Sequence, residues 1–187
     1  MYKNGYVIKG LFDGQYTRPL DQLSEKYRGI GRYISWPLDS YEDPNSKRIS
    51  KELFLYLNPG PYGLQFTVPK KKLLEEYTAL CLDHGIETTV LMIESSYEYP
   101  LIDDELPIVE FLGYDCIESG DFSYWYDEMK VFIDKLAALN ICLNKNVLFD
   151  NIADAKRYID LRNLAISEGM NFEHGEPVIA KIYHVSL

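Results

Sequence analysis

Asp103, Asp104 and Glu105 stand side by side, and several carboxylates in one stretch are what a hard cation such as calcium requires. Consecutive side chains point in different directions, however, and the alternating spacing of a calcium loop is absent. The three acids read as a solvated turn, and no metal is expected. Asp115 and Glu118 could do acid–base work in a cleft, or Asp115 could hydrogen-bond locally where an apolar strand ends. His84, His174 and His184 form no pair at metal spacing. Gly29 and Gly31 lack both the third glycine of a phosphate-binding loop and a strand before it. The Ser, Cys and His residues carry no nucleophile signature. No cofactor is expected, and the chain is not read as an enzyme. The alternatives are a small hydrolase that works through carboxylates, or a scaffold or pocket domain.

The charge distribution says more. Net charge is −10, a sign that repels nucleic acid and anionic membranes. Between Leu73 and Met129 there are fifteen acids and no Lys or Arg; the rest of the chain holds all nineteen bases and fourteen acids. Either this segment presents a negative surface, or basic residues from elsewhere fold back and neutralise it. Sixteen tyrosines add a second signal. Tyr97, Tyr99, Tyr124 and Tyr126 lie within the base-free segment beside Glu98, Asp127 and Glu128. Tyrosine combines a large contact area, few rotors and a polar tip, which suits an interface; covering ordinary core edges is the other use of such rings. The partner-binding set read from these signals is Tyr97, Glu98, Tyr99, Asp103, Asp104, Glu105, Tyr124, Asp127 and Glu128. The expected partner is a cationic protein, with neither nucleic acid nor membrane involved.

The elements that must position these residues follow from pattern. The 187 residues fit a single domain with an α+β fold, a mixed or antiparallel sheet with two long helices packed on it. Strands are expected at Tyr6–Phe12, Thr88–Ile93, Ile108–Ile117 and Val178–Val185. Leu53–Leu57 and Leu64–Val68 read as two strands around a loop wider than two residues, because Pro59, Gly60, Pro61 and Gly63 crowd it. Pro19–Tyr27 reads as a short helix and 40–50 as a loop. Leu73–His84 has helical spacing, and Lys70, Lys71 and Lys72, unfavourable at the positive end of a helix dipole, are assigned to the loop before it. Glu94–Pro107 reads as an exposed connection. Phe122, Trp125, Met129, Phe132, Leu136 and Leu139 fall on one stripe of a helix, with Asp121 as its cap. Ile152–Glu168 is the second long helix, capped by Asp150 or Asn151 and stopped by Gly169. Cys81, Cys116 and Cys142 are odd in number, widely spaced and set among apolar residues. They are expected to be free thiols of a cytoplasmic protein. No secretory signal opens the sequence, and no apolar run reaches the roughly 18 residues of a membrane span.

The stretch from Phe111 through Leu112-Gly113-Tyr114-Asp115 to Trp125 resembles immunity proteins of bacterial polymorphic toxin systems. In those proteins an apolar strand ending in such a tetrapeptide runs through a short polar loop into a helix. The resemblance covers about fifteen residues and carries over no toxin-binding residues. It implies a small cytoplasmic inhibitor that occludes the active site of a cationic toxin, presenting acids where the toxin's nucleic acid would lie.

Overall fold

The computed structural model describes residues 3–11, 33–34, 48, 57–60, 63–66, 70–83, 88–96, 104–117, 136, 138–141, 143–144, 146, 148–171 and 176–187. In chain order these form β1 (Lys3–Leu11), β2 (Tyr33–Ile34), β3 (Leu57–Gly60), β4 (Gly63–Phe66), α1 (Lys71–Asp83), β5 (Thr88–Ser95), β6 (Ile108–Ile117), α2 (Ile152–Ser167) and β7 (Val178–Val185). Five strands make one sheet in the order β2-β1-β5-β7-β6, and every neighbouring pair is antiparallel. The class is α+β, as the sequence predicts. Among the described residues no helix is long and apolar enough to cross a membrane.

β5 lies at the centre because its apolar, β-branched run can be buried on both sides: Val90, Leu91, Met92 and Ile93 are all buried. Residues directly opposed in an antiparallel ladder share a face. Glu94, Lys181 and Tyr114 are opposed in turn across β5, β7 and β6, and alternation puts Met92, Val90 and Cys116 on that same face. Both helices pack there. α1 brings Leu73, Leu74, Tyr77 and Cys81 onto Tyr6, Val90, Met92 and Val185. α2 brings Ala155, Tyr158 and Ala165 onto Cys116 and Phe149. Burial of a side chain such as Leu74 contributes about 1.5–3 kcal/mol. Leu91, Ile93, Ile117, Ala180 and Ile182 form the core of the opposite face, joined by Leu148.

α2 has both ends signalled in its sequence. The Asn151 side chain accepts from the Asp154 backbone N–H at 2.9 Å and its amide donates to the Asp154 carboxylate at 2.9 Å, so two polar groups are satisfied reciprocally. Gly169 ends the helix at φ +94°, with Met170 N–H bonded to Ala165 O and Gly169 N–H to Ile166 O.

Several expectations are corrected. β3 and β4 pair from Leu57–Phe66 to Gly60–Gly63, leaving only two residues between them. Among the described residues each strand of this ribbon is paired on one side, so Pro59 is tolerated within it. Lys71 and Lys72 belong to α1 rather than to the preceding loop, because carboxylates offset the dipole: Lys71 meets Asp104 at 3.3 Å and Lys72 meets Glu76 one turn on at 3.9 Å. Glu94 and Ser95 extend β5 instead of opening an exposed connection. Of 40–50, only Arg48 is described, and it is helical rather than part of a loop.

On the stripe expected to be buried from Phe122 to Leu139, Leu136 is buried but Leu139 is 38% exposed. The reason is local. Asn140 adopts φ +55° and Ile141 N–H bonds back to Leu136 O, so the helix ends there and Ile141 takes the buried place. Phe122, Trp125, Met129 and Phe132, with the 19–27 helix, lie outside the described residues.

Cys81 and Cys116 are free buried thiols; Cys142 is outside the described residues. Burial pushes the Cys81 thiol up to about 12, against a Tyr77 hydrogen bond that pulls it down. The folded state therefore holds this proton more tightly than the unfolded chain, where the value is 9.0. The associated stability is intact below pH 9 and is lost as pH rises towards 12, at about 1.4 kcal/mol per pH unit. Urea denaturation across that window should show the fall, and Cys81→Ala should lessen it. A profile equally steep in the variant would assign the loss to other groups.

Candidate functional site

β6 changes character along its length. Its second half is interior: Gly113, Asp115, Cys116 and Ile117 are buried, and its outer edge is occupied by Asn144 and Phe149. Tyr114 exchanges both backbone hydrogen bonds with Phe149, at 2.8 and 2.9 Å. The Asn144 side chain donates to Leu112 O at 2.8 Å and accepts from the backbone N–H of Asn146 and Leu148, at 2.9 and 3.2 Å. Leu148 and Phe149, adjacent in the chain, then enter the cores of opposite faces. Asp115 accepts from the Cys116 N–H at 2.8 Å, the local hydrogen bond that a strand-end aspartate can make.

The first half is different. Ile108, Val109, Glu110 and Phe111 are all exposed, on both faces, with the three apolar side chains at 56%, 58% and 43%. Their inner edge pairs with Val185, His184 and Tyr183 through two register shifts, and β6 is the last strand of the sheet. Asp104 and Glu105, both exposed, lead into this half. They are held there by Leu106, which is buried beside Tyr6, and by Ser186 N–H bonding to Pro107 O. Burial, opposed by a hydrogen bond with the Leu106 backbone, raises the Tyr6 hydroxyl, and the Glu105 charge adds to the rise.

Phe111 also reaches a polar group on the helix-bearing face. Its ring lies 5.2 Å from Tyr114, edge on, and 5.3 Å from Tyr183. Glu94 accepts from Lys181 Nζ and from the Tyr183 hydroxyl, each at 2.9 Å. The Glu94 hydrogen bond raises the Lys181 ammonium; burial and then that carboxylate raise the Tyr183 phenol. Both donors are therefore protonated at neutral pH, and the carboxylate between them is bound on both oxygens. This arrangement fixes two strands and orients aromatic rings; it does not leave a base or nucleophile ready for chemistry. Sequence reasoning placed Glu94 in a loop and missed the group. Its signal was a glutamate ending an apolar run, with Lys181 and Tyr183 two apart on another strand.

Of the predicted site residues, Asp104 and Glu105 are described and lie together; Tyr97, Glu98, Tyr99, Asp103, Tyr124, Asp127 and Glu128 are outside the described residues. Eight of the fifteen acids in the base-free segment are described. Glu76 meets Arg48 at 3.1 Å, Glu94 meets Lys181 and Asp104 meets Lys71, all bases from outside it. Asp115 is buried, and Glu75, Asp83, Glu105 and Glu110 are exposed. Neutralisation by the chain's own bases is real but partial. Among the described residues no group of His, Cys, Asp and Glu is placed to hold a metal.

No family model, curated protein or solved structure matches this chain.

Proposed function

We propose that this chain is an acidic protein-binding module that acts in the cytoplasm as an immunity protein, inhibiting a cationic toxin domain by direct binding. The observation that carries the reading is the juxtaposition at the start of β6: exposed carboxylates of Asp104, Glu105 and Glu110 beside exposed Ile108, Val109 and Phe111. Apolar contact area bordered by charge of one sign suits a partner of the opposite sign, and such charge raises the association rate and selects the partner. The base-free segment from Leu73 to Met129 and the resemblance of Phe111–Trp125 to immunity proteins support it.

The test is binding to the protein encoded by the neighbouring gene. Association should slow as salt rises, because exposed charges are screened beyond about 8–10 Å at physiological ionic strength. The triple reversal Asp103→Lys, Asp104→Lys, Glu105→Lys should lower the association rate by about tenfold or more. It should cost the fold little, since Asp104 contributes only a surface ion pair worth about 0–1 kcal/mol. Tyr99→Ala and Tyr124→Ala should act on dissociation if those rings anchor the partner. Unchanged binding in all three variants would place the interface elsewhere and leave the acids a role in solubility.

A further inference from the structure

We propose that the Ile108–Phe111 half of β6 is a strand-addition edge, on which an extended basic segment of the partner protein pairs its backbone. This rests on the reading of the chain as a binder of a cationic protein, and names the element that does the binding. A terminal strand offers unpaired N–H and C=O groups, a template for another chain. Along the second half of β6 that template is used up by Asn144 and Phe149. Along Ile108–Phe111, among the described residues, only β7 is paired, and the side chains are exposed, Phe111 least because its ring also meets Tyr114 and Tyr183.

Charge decides the occupant. Glu110 sits on the strand, with Glu105 and the Lys71-paired Asp104 at its entrance, so a second copy would bring Glu105 and Glu110 towards the same two acids. With a net charge of −10, two copies repel over longer range as well. The register shifts on either side of Glu110, together with Pro107, are features that discourage self-pairing of an edge. A strand bearing lysine or arginine turns the same acids into attractive cross-strand partners. Ile108, Val109 and Phe111 then supply the apolar contacts that a polar ladder alone lacks.

Val109 gives a selective handle. The register passes from Ile108 opposite Val185 to Glu110 opposite His184, so Val109 has no counterpart on β7. A proline at a bulge is tolerated by the sheet, yet it removes an N–H and obstructs an incoming strand. The probe is a short synthetic peptide of alternating lysine and valine, compared with a copy N-methylated on its backbone and with an alternating glutamate and valine peptide. Amide hydrogen exchange of the full chain should slow at 108–111 with the first peptide only. Val109→Pro should weaken its binding by about tenfold or more, the loss of one or two backbone hydrogen bonds. Val109→Lys should also weaken it, and provides the test if the proline variant does not fold.

Equal binding of the N-methylated copy, protection elsewhere than 108–111, or no binding of the basic peptide would each overturn strand addition. A dimer seen by sedimentation and dissolved by Val109→Pro would give the edge to a second copy and overturn it too. The acidic-surface reading fails separately, through a neighbouring-gene partner indifferent to charge reversal.

Discussion

Gly113→Ala is expected to destabilise the protein by about 2–6 kcal/mol, the sum of backbone strain and overpacking at one site. Gly113 adopts φ +142°, a region closed to side-chain-bearing residues. A Cβ placed there would meet Leu148 Cβ at 2.8 Å, Phe149 O at 2.9 Å and Asn144 Nδ2 at 3.0 Å. Two of these belong to groups pinned by the ladder and by the Asn144 hydrogen bonds, so they cannot withdraw without releasing the edge of β6. Gly169→Ala is the matched control. Its φ is +94° but nothing lies within 4 Å, so it should incur strain of about 1–3 kcal/mol without the overpacking. Urea denaturation of both variants separates the contributions. Equal losses at the two positions would mean that the crowding at Gly113 relaxes freely.

Phe149→Ala is expected to destabilise by about 3–5 kcal/mol, the range for a large ring removed from a packed interior. The ring is fully buried, 5.6 Å from that of Tyr158, in the cluster that joins α2 to β6. Its backbone bridges to Tyr114, so loosening the ring also loosens the cover on the strand's outer edge. Newly uncovered ladder groups invite association between molecules. The variant should therefore scatter light sooner on warming than its stability alone implies, and Phe149→Leu should restore most of both properties. A stable Phe149→Ala protein, with an unchanged denaturation midpoint, would contradict the packing described here.

What was legible in the chain followed the range of the interactions that encode it. β5, β6 and β7 and the caps of α2 are written in neighbouring residues: apolar runs, Asn151 before a helix, Gly169 after it. The errors came where distant partners decide. Lys71 enters a helix because Asp104 is beside it, and Glu94 joins a strand because Lys181 and Tyr183 hold it. The tight β3–β4 connection runs against its proline and glycine content because the pairing of Gly60 with Gly63 decides it. For the candidate surface, the sign and concentration of charge could be read directly. Which acids are neutralised could not, since Arg48 and Glu76 are 28 residues apart, Lys71 and Asp104 33, and Glu94 and Lys181 87. The exposed half of β6 left no pattern of its own: the same apolar run encodes a buried segment and an open one, and among the described residues the reach of Asn144 and Phe149 separates them.

The position of β7 governs the order in which the molecule can be made. It is inserted between β5 and β6, strands that precede it by dozens of residues, and it carries the ladder for both. During synthesis β5 and β6 emerge first and have no neighbour in common until residues 178–185 leave the ribosome. Up to that moment both strands present open edges. Sheet completion is then a late step that closes long loops, which is slow compared with local helix formation. Until β7 arrives, the nascent chain is thus open to mispairing along the facing edges of β5 and β6.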